Sequence, residues 1–187
     1  MASGTTALDL LSVPRGDYHH EGFTTSGPLT HDVQGLSLRA INAVMLRPDV
    51  AFLQRALSPR LLSVSSAPCS AFSFTRRNLA DFLDRVRRRP DFYTVHRHNV
   101  HEDTITAEVN EASGKATVWM SGTIAGSLVE GEAITEREWT SKFEWRWWGS
   151  MAEGKVGNSN EGRWVCIRLT RVSGSASLLG STLPPPS

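Results

Sequence analysis

Thr104-Ile-Thr-Ala-Glu-Val109, Asn110-Glu-Ala-Ser-Gly114 and Lys115-Ala-Thr-Val-Trp-Met-Ser-Gly122 run on from one another, and their reading decides the fold. The two outer runs are rich in Thr, Val and Trp, which suit a pleated, half-buried surface. The connection between them ends in glycine, which takes the positive φ such turns usually require. The stretch therefore predicts a β-hairpin.

Outward from the hairpin, strands are predicted over Phe92–His101 (reaching toward Val109), Lys115–Ala125, Ala133–Trp147 and Arg163–Val172. The polar, glycine-rich run 149–162 reads as a long loop between the last two. Upstream lie three helical patterns. The first opens at Thr30 or Asp32, either able to cap it, and runs to Arg47, with Val33, Leu36, Ala40 and Val44 at helical spacing. Pro48 suits the first turn of the second, whose face is Val50, Leu53 and Leu57 before Pro59 closes it. Leu61–Ala67 reads as a short strand. Thr75 is placed to cap the third helix, where Leu79, Phe82, Leu83 and Val86 form an apolar stripe. Arg85, Arg87, Arg88 and Arg89 crowd its end, where positive charge suits the helix dipole, and they read as a solvated surface.

Helices followed by a meander indicate an α+β fold. Residues 31–174 form the expected folded unit, after an irregular N-terminal extension over 1–30 and before a flexible tail over 175–187 rich in Gly, Ser and Pro. A chain of 187 residues allows one domain with a substantial core. A net charge of +1 offers nothing for nucleic acid or an acidic membrane surface. No apolar run approaches the roughly 20 residues that span a bilayer. The first residues lack a basic segment ahead of their apolar patch, which Asp9 interrupts, so no signal peptide is read and a cytoplasmic protein is expected. Cys69 and Cys166 set up no disulfide framework, and Cys69 reads as inert.

Three groups of residues could carry chemistry. His96 and His98, two apart on a strand, should share a face and offer an acid/base pair that titrates near neutrality; the alternative is a solvent-facing edge. His96-x-His98 followed by Glu102 echoes a metal-ligand spacing, but the flanking glycines and second histidine motif of a cupin are missing, and no metal is expected. The strand 133–147 splits by parity. Arg137, Trp139, Ser141, Phe143 and Trp145 should face inward; Glu136, Glu138, Thr140, Lys142, Glu144 and Arg146 should face outward. An inward Arg137 needs an acceptor, either a carboxylate or a substrate oxygen, unless it lies hydrated at the rim. The tryptophans, Trp119 and Trp139 among them, would suit a flat polycyclic ligand or simply fill the core. On the last strand Val165, Ile167 and Leu169 read as the core face, with Cys166 and Arg168 opposite; Arg168 joins the site only if that opposite face is concave, and otherwise belongs to an interface.

The order of elements, with Arg89-Pro-Asp-Phe92, Val109-Asn-Glu-Ala-Ser-Gly-Lys-Ala-Thr-Val-Trp-Met120, the run from Arg137 to Trp145 and Arg163-Trp-Val-Cys-Ile-Arg168, resembles the nuclear-transport-factor-2-like (cystatin-like) cone. Within it the chain is most similar to SnoaL-like proteins of fungal type. The resemblance implies three N-terminal helices packed on a curved antiparallel sheet, a hydrophobic small-molecule substrate and a homodimer. It also implies cofactor-independent proton-transfer chemistry (cyclisation, isomerisation or dehydration) on a polyketide- or terpenoid-derived metabolite. His98 or His96 would then move the proton and Arg137 would hold the oxyanion. Tyr93 and Glu138 are further candidates, and Trp119, Trp139, Ser141 and Arg168 would line the substrate site. The rival expectation is a non-catalytic module of the same fold that binds a ligand or a partner.

Overall fold

The computed structural model describes residues 23–24, 27–67, 70–91, 93–128, 133–149, 151–152, 155–156 and 162–178. Cys69, most of the 1–30 extension, most of the 149–162 loop and the tail beyond Leu178 lie outside the described residues. In chain order the elements are β1 (Phe23–Thr24), α1 (Pro28–Met45), α2 (Val50–Ala56), β2 (Leu57–Ala67), β3 (Ser70–Arg77), α3 (Leu79–Arg88), β4 (Tyr93–Val100), β5 (Thr106–Asn110), β6 (Lys115–Leu128), β7 (Thr135–Trp148), β8 (Met151–Ala152), β9 (Lys155–Val156) and β10 (Arg163–Leu178). One-turn 3-10 helices occupy Arg89–Asp91 and Glu102–Thr104.

The main sheet runs β1-β5-β6-β7-β10-β2-β3, with β4 also paired to β6; β8 and β9 form a separate ribbon. β4 and β5 act as one broken partner for the long β6, β5 along its first half and β4 along its second. The three helices pack on one face of this curved, open sheet, and the core lies between the layers. The expected hairpin is present: β5 and β6 pair from Thr106↔Trp119 to Asn110↔Lys115, and Gly114 closes the turn at φ 59°.

The sheet is mixed, which corrects the expected antiparallel one. β10 runs parallel to β2. Residues 68–162, about half of the chain, lie between these two strands, so the long connection a parallel pair requires is available.

Several boundaries shift for local reasons. α1 starts at Pro28, whose fixed φ suits a first helical position, and Thr30 is buried inside the helix instead of capping it. Asp49 caps α2 by accepting from the Phe52 amide at 2.9 Å. α2 ends at Ala56 and the chain passes directly into β2. Pro59 falls where pairing with β10 jumps from Leu57 to Leu62, the kind of irregular stretch that tolerates proline in a sheet. Thr75 lies in β3 opposite Ser65. The cap of α3 is Asn78, whose Oδ1 accepts from the Asp81 amide at 2.9 Å. β10 continues beyond residue 174, pairing Leu178 with Thr135.

α1 buries Val33, Ser37, Ala40 and Ile41, spaced to share one helical stripe. Opposite them lie Val118, Met120, Phe143 and Trp145 of the sheet, all at most 1% exposed. The Trp145 indole N–H donates to Ser37 Oγ at 2.9 Å, and that hydroxyl donates to the Val33 carbonyl at 2.8 Å. One satisfied polar chain thus fixes α1 over β7. α3 buries Phe82, Leu83 and Val86 and packs on β2. Among the described residues no helix is long and apolar enough to cross a membrane.

Candidate functional site

Two β-bulges decide which side chains reach the interior. In β4 the pairing with β6 steps from Val95↔Gly126 to Arg97↔Ala125, so His96 is the extra residue. A bulge advances the strand by one position without a partner, which inverts the alternation beyond it. Tyr93, Val95, His98 and Val100 are consequently half-buried, while His96 is exposed and meets Ser127 Oγ at 3.0 Å. The expected shared face of His96 and His98 is therefore corrected.

In β10 a second bulge falls between Cys166 and Arg168. Cys166 pairs with Trp145 and is fully buried, Leu169 pairs with Phe143, and Arg171 pairs with Ser141, all on the inner face. Arg168 pairs with Glu144 on the outer face and is exposed, so it stays out of the interior.

His98 stacks on Trp139, ring centroids 5.3 Å apart and planes 11° from parallel. Gly122 makes this possible. A Cβ there would lie 2.1 Å from the Asn99 carbonyl oxygen and 2.7 Å from the Trp139 ring, so only glycine lets the indole cross β6 toward β4. Gly126 does the same for Tyr93, whose ring carbon and hydroxyl would come within 2.6 Å of a Cβ.

Arg171 reaches from β10 toward the end of α1, where its Nη1 meets Met45 Sδ at 2.9 Å. Arg89, expected in solvent, folds inward instead. Its Nη1 donates to the Met45 carbonyl, and its Nη2 donates to the Leu46 carbonyl at 3.0 Å. These carbonyls close α1 and have no helical donor, so a guanidinium is a natural cap for them. Neither arginine forms an ion pair with a described residue.

The electrostatics follow from this placement. Burial, then Arg171, then Arg89 push the His98 pKa down to about 4, so the imidazole is neutral at pH 7. Burial pushes Arg171 down to about 10; Tyr93 opposes the shift, and Arg89 and Arg85 add to it. Burial also lowers Arg89. Around these groups, His98 Nε2, Trp139 Nε1, Ser141 Oγ, Arg171 Nε and Arg89 Nε are all buried without a hydrogen-bond partner. Folded chains rarely leave such atoms unmatched, and five in one region indicate a place arranged for a polar occupant.

His98 also forms part of the wall of an open groove of about 550 Å³ between α1 and the β4 end, with Gln34, Leu38, Asn42, Leu46, Asn99, Glu102 and Ile105. A second hollow of about 580 Å³ shares Asn42 and Leu46 and adds Arg39, Arg47, Asp49 and Val95. Deeper in, Trp139, Phe143 and Trp145 fill the space between the layers.

The other expected residues fall as follows. Arg137 is half-buried on the inner parity of β7, in one cross-strand row with Ile124 and His98. Ser141 is buried inward and Tyr93 is half-buried beside the arginines. Glu138 is exposed and pairs with Thr123 on the outer face, which removes it from the interior. Trp119 is also outward, with Lys142 Nζ 5.0 Å from its ring centre. Glu102 sits exposed on a 3-10 turn, and among the described residues no three His, Cys, Asp or Glu side chains gather as a metal site. Arg171 and Arg89 went unread in the sequence. Arg171 carried a signal, since it stands two positions beyond Leu169 on the core parity; Arg89 carried none.

No family model matches the chain, and no curated protein does. Solved structures do. An NTF2-like protein of unknown function in nutrient uptake from Rhodospirillum rubrum is 14% identical, with 75% of this chain covering 97% of that one at a TM-score of 0.52. An NTF2-like protein from Cytophaga hutchinsonii is 10% identical, with 79% of this chain covering 99% of that one at a TM-score of 0.51. The chain has the NTF2-like α+β fold.

Proposed function

We propose that this NTF2-like cone catalyses a proton transfer with its own side chains, as a cofactor-independent isomerase, cyclase or dehydratase of a hydrophobic polyketide- or terpenoid-derived metabolite in the cytoplasm. One observation carries the reading: His98 is held neutral beside two desolvated arginines, and its Nε2 is buried without a partner.

In this role His98 removes a proton from carbon next to a carbonyl, and Arg171 holds the oxygen that becomes negative. A histidine titrating near 4 is in its accepting form at pH 7 but is a weak base. The developing oxyanion offsets the charge of Arg171 and Arg89, so the proton affinity of the ring rises as the proton arrives. The stabilisation is therefore concentrated in the transition state. Return of the proton at another carbon gives isomerisation; expulsion of a β-hydroxyl gives dehydration. Trp139 stacks against His98 and fixes its plane, and the Arg171 guanidinium takes the part that the sequence had assigned to Arg137.

Deuterium uptake from heavy water into a panel of polycyclic β-diketones and β-keto acids tests this. The wild type should label the acidic carbon, and His98→Gln should lower the rate roughly 10²–10⁴-fold. Labelling that His98→Gln leaves unchanged, or none across the panel, would reject the reading. The filling of the deep interior by Trp139, Phe143 and Trp145 favours the second reading, a non-catalytic binding module.

A homodimer through the outer sheet face completes the proposal. That face is already laced by Arg97–Glu136 at 2.5 Å and Lys142–Glu144 at 2.9 Å, so its contact with a second copy would be polar. Light scattering should give twice the 20.6 kDa chain mass at micromolar concentration; the single-chain mass would exclude the dimer.

A further inference from the structure

The geometry points to a carboxylate subsite between Arg171, Arg89 and Tyr93, next to His98, so that the substrate is an organic acid and not a neutral ketone. This rests on the proton-transfer reading for the word substrate, while the subsite itself stands on the arginines.

Arg171 is a desolvated cation whose only hydrogen bond to a described residue spends Nη1 on the thioether of Met45. A thioether is a weak acceptor, and it ends a flexible, unbranched side chain that can swing aside. Nε is buried without a partner, so the edge of the guanidinium that suits two parallel bonds to a carboxylate has no acceptor of its own. Arg89 spends both Nη atoms on the carbonyls ending α1, yet its Nε is likewise buried and unmatched. Among the described residues no carboxylate pairs with Arg171 or Arg89, so the two positive charges are uncompensated. An unpaired charge away from water is costly unless something neutralises it. The lowered pKa of each arginine reflects that cost. An anion bound here cancels it, and the neighbouring groove between α1 and β4 has room for an apolar body attached to the anion.

The test compares 2-naphthoate with its neutral counterpart 2-naphthamide by calorimetry on the full chain. The wild type should bind the acid at least tenfold more tightly. Arg171→Met, close in size and uncharged, should bind the two alike. Arg171→Lys keeps the charge and loses the fork; it should reduce the preference severalfold, and it serves if the methionine variant fails to fold. Equal binding of acid and amide by the wild type overturns the subsite. So does a preference that survives unchanged in Arg171→Met or, where that variant does not fold, in Arg171→Lys. Binding is read without turnover, so the two proposals fail separately. Deuterium exchange dependent on His98 with no acid preference leaves the catalyst and removes the subsite. Acid preference without exchange leaves an anion-binding cone.

Discussion

Gly122 controls the site from a distance of one strand. Its missing side chain lets the Trp139 indole lie against His98, and the nearest obstacle to a Cβ is the Asn99 carbonyl oxygen, which is backbone and cannot yield cheaply. Gly122→Ala should therefore cost about 1–3 kcal/mol, as overpacked sites do, and should push the indole off the imidazole. Chemical denaturation would read the first effect and indole fluorescence the second; an alanine variant as stable as wild type would show that β4 can move away. His96 makes the opposite case. Exposed on its bulge, its ring meets the Ser127 hydroxyl at the surface, so His96→Ala should leave both stability and ligand binding unchanged. A loss of ligand binding in His96→Ala would return this residue to the site.

At the scale of elements, the bulges separate what was legible from what was not. The β7 alternation is unbroken, so Trp139, Ser141, Phe143 and Trp145 can be read from the sequence as an inward row. The Asn110–Gly114 turn was equally plain, because a glycine at φ 59° has a sequence signature. A bulge has none. His96 and Cys166 are therefore misplaced by an alternation that the strands reset: His96 is exposed, and Cys166, read opposite the core face, is fully buried. β3 escaped notice for a related reason, since Ser, Thr and Arg at its end read as the approach to a helix. α3 was clear from its stripe alone, though its cap lay three residues later than expected. Leu83, 7% exposed on that stripe, should cost about 2–5 kcal/mol when replaced by alanine, seen as a lower urea midpoint. Asn78→Ala should cost about 1 kcal/mol through the lost cap. An unaffected midpoint in the Leu83 variant would mean that α3 does not anchor the helical layer.

Across the whole molecule, three elements far apart in sequence meet around one imidazole. β4 supplies His98, the 3-10 turn after α3 supplies Arg89, and β10 supplies Arg171. No local pattern foretells that meeting, because it depends on the parallel β10–β2 pair and on where α1 ends. It has a thermodynamic consequence. The folded histidine titrates near 4 and the unfolded one near 6.5, so between those values the unfolded chain holds more protons. Stability should therefore rise with pH across that window, make no further gain from this group above it, and fall as acid is added. His98→Gln should remove that part of the pH dependence. The most direct test is an NMR pH titration of the His98 ring in wild type and Arg171→Met. The ring should titrate near 4 in the wild type and shift upward when the cation is gone. A midpoint near the ordinary 6.5 in both proteins would contradict a neutral histidine held between buried arginines.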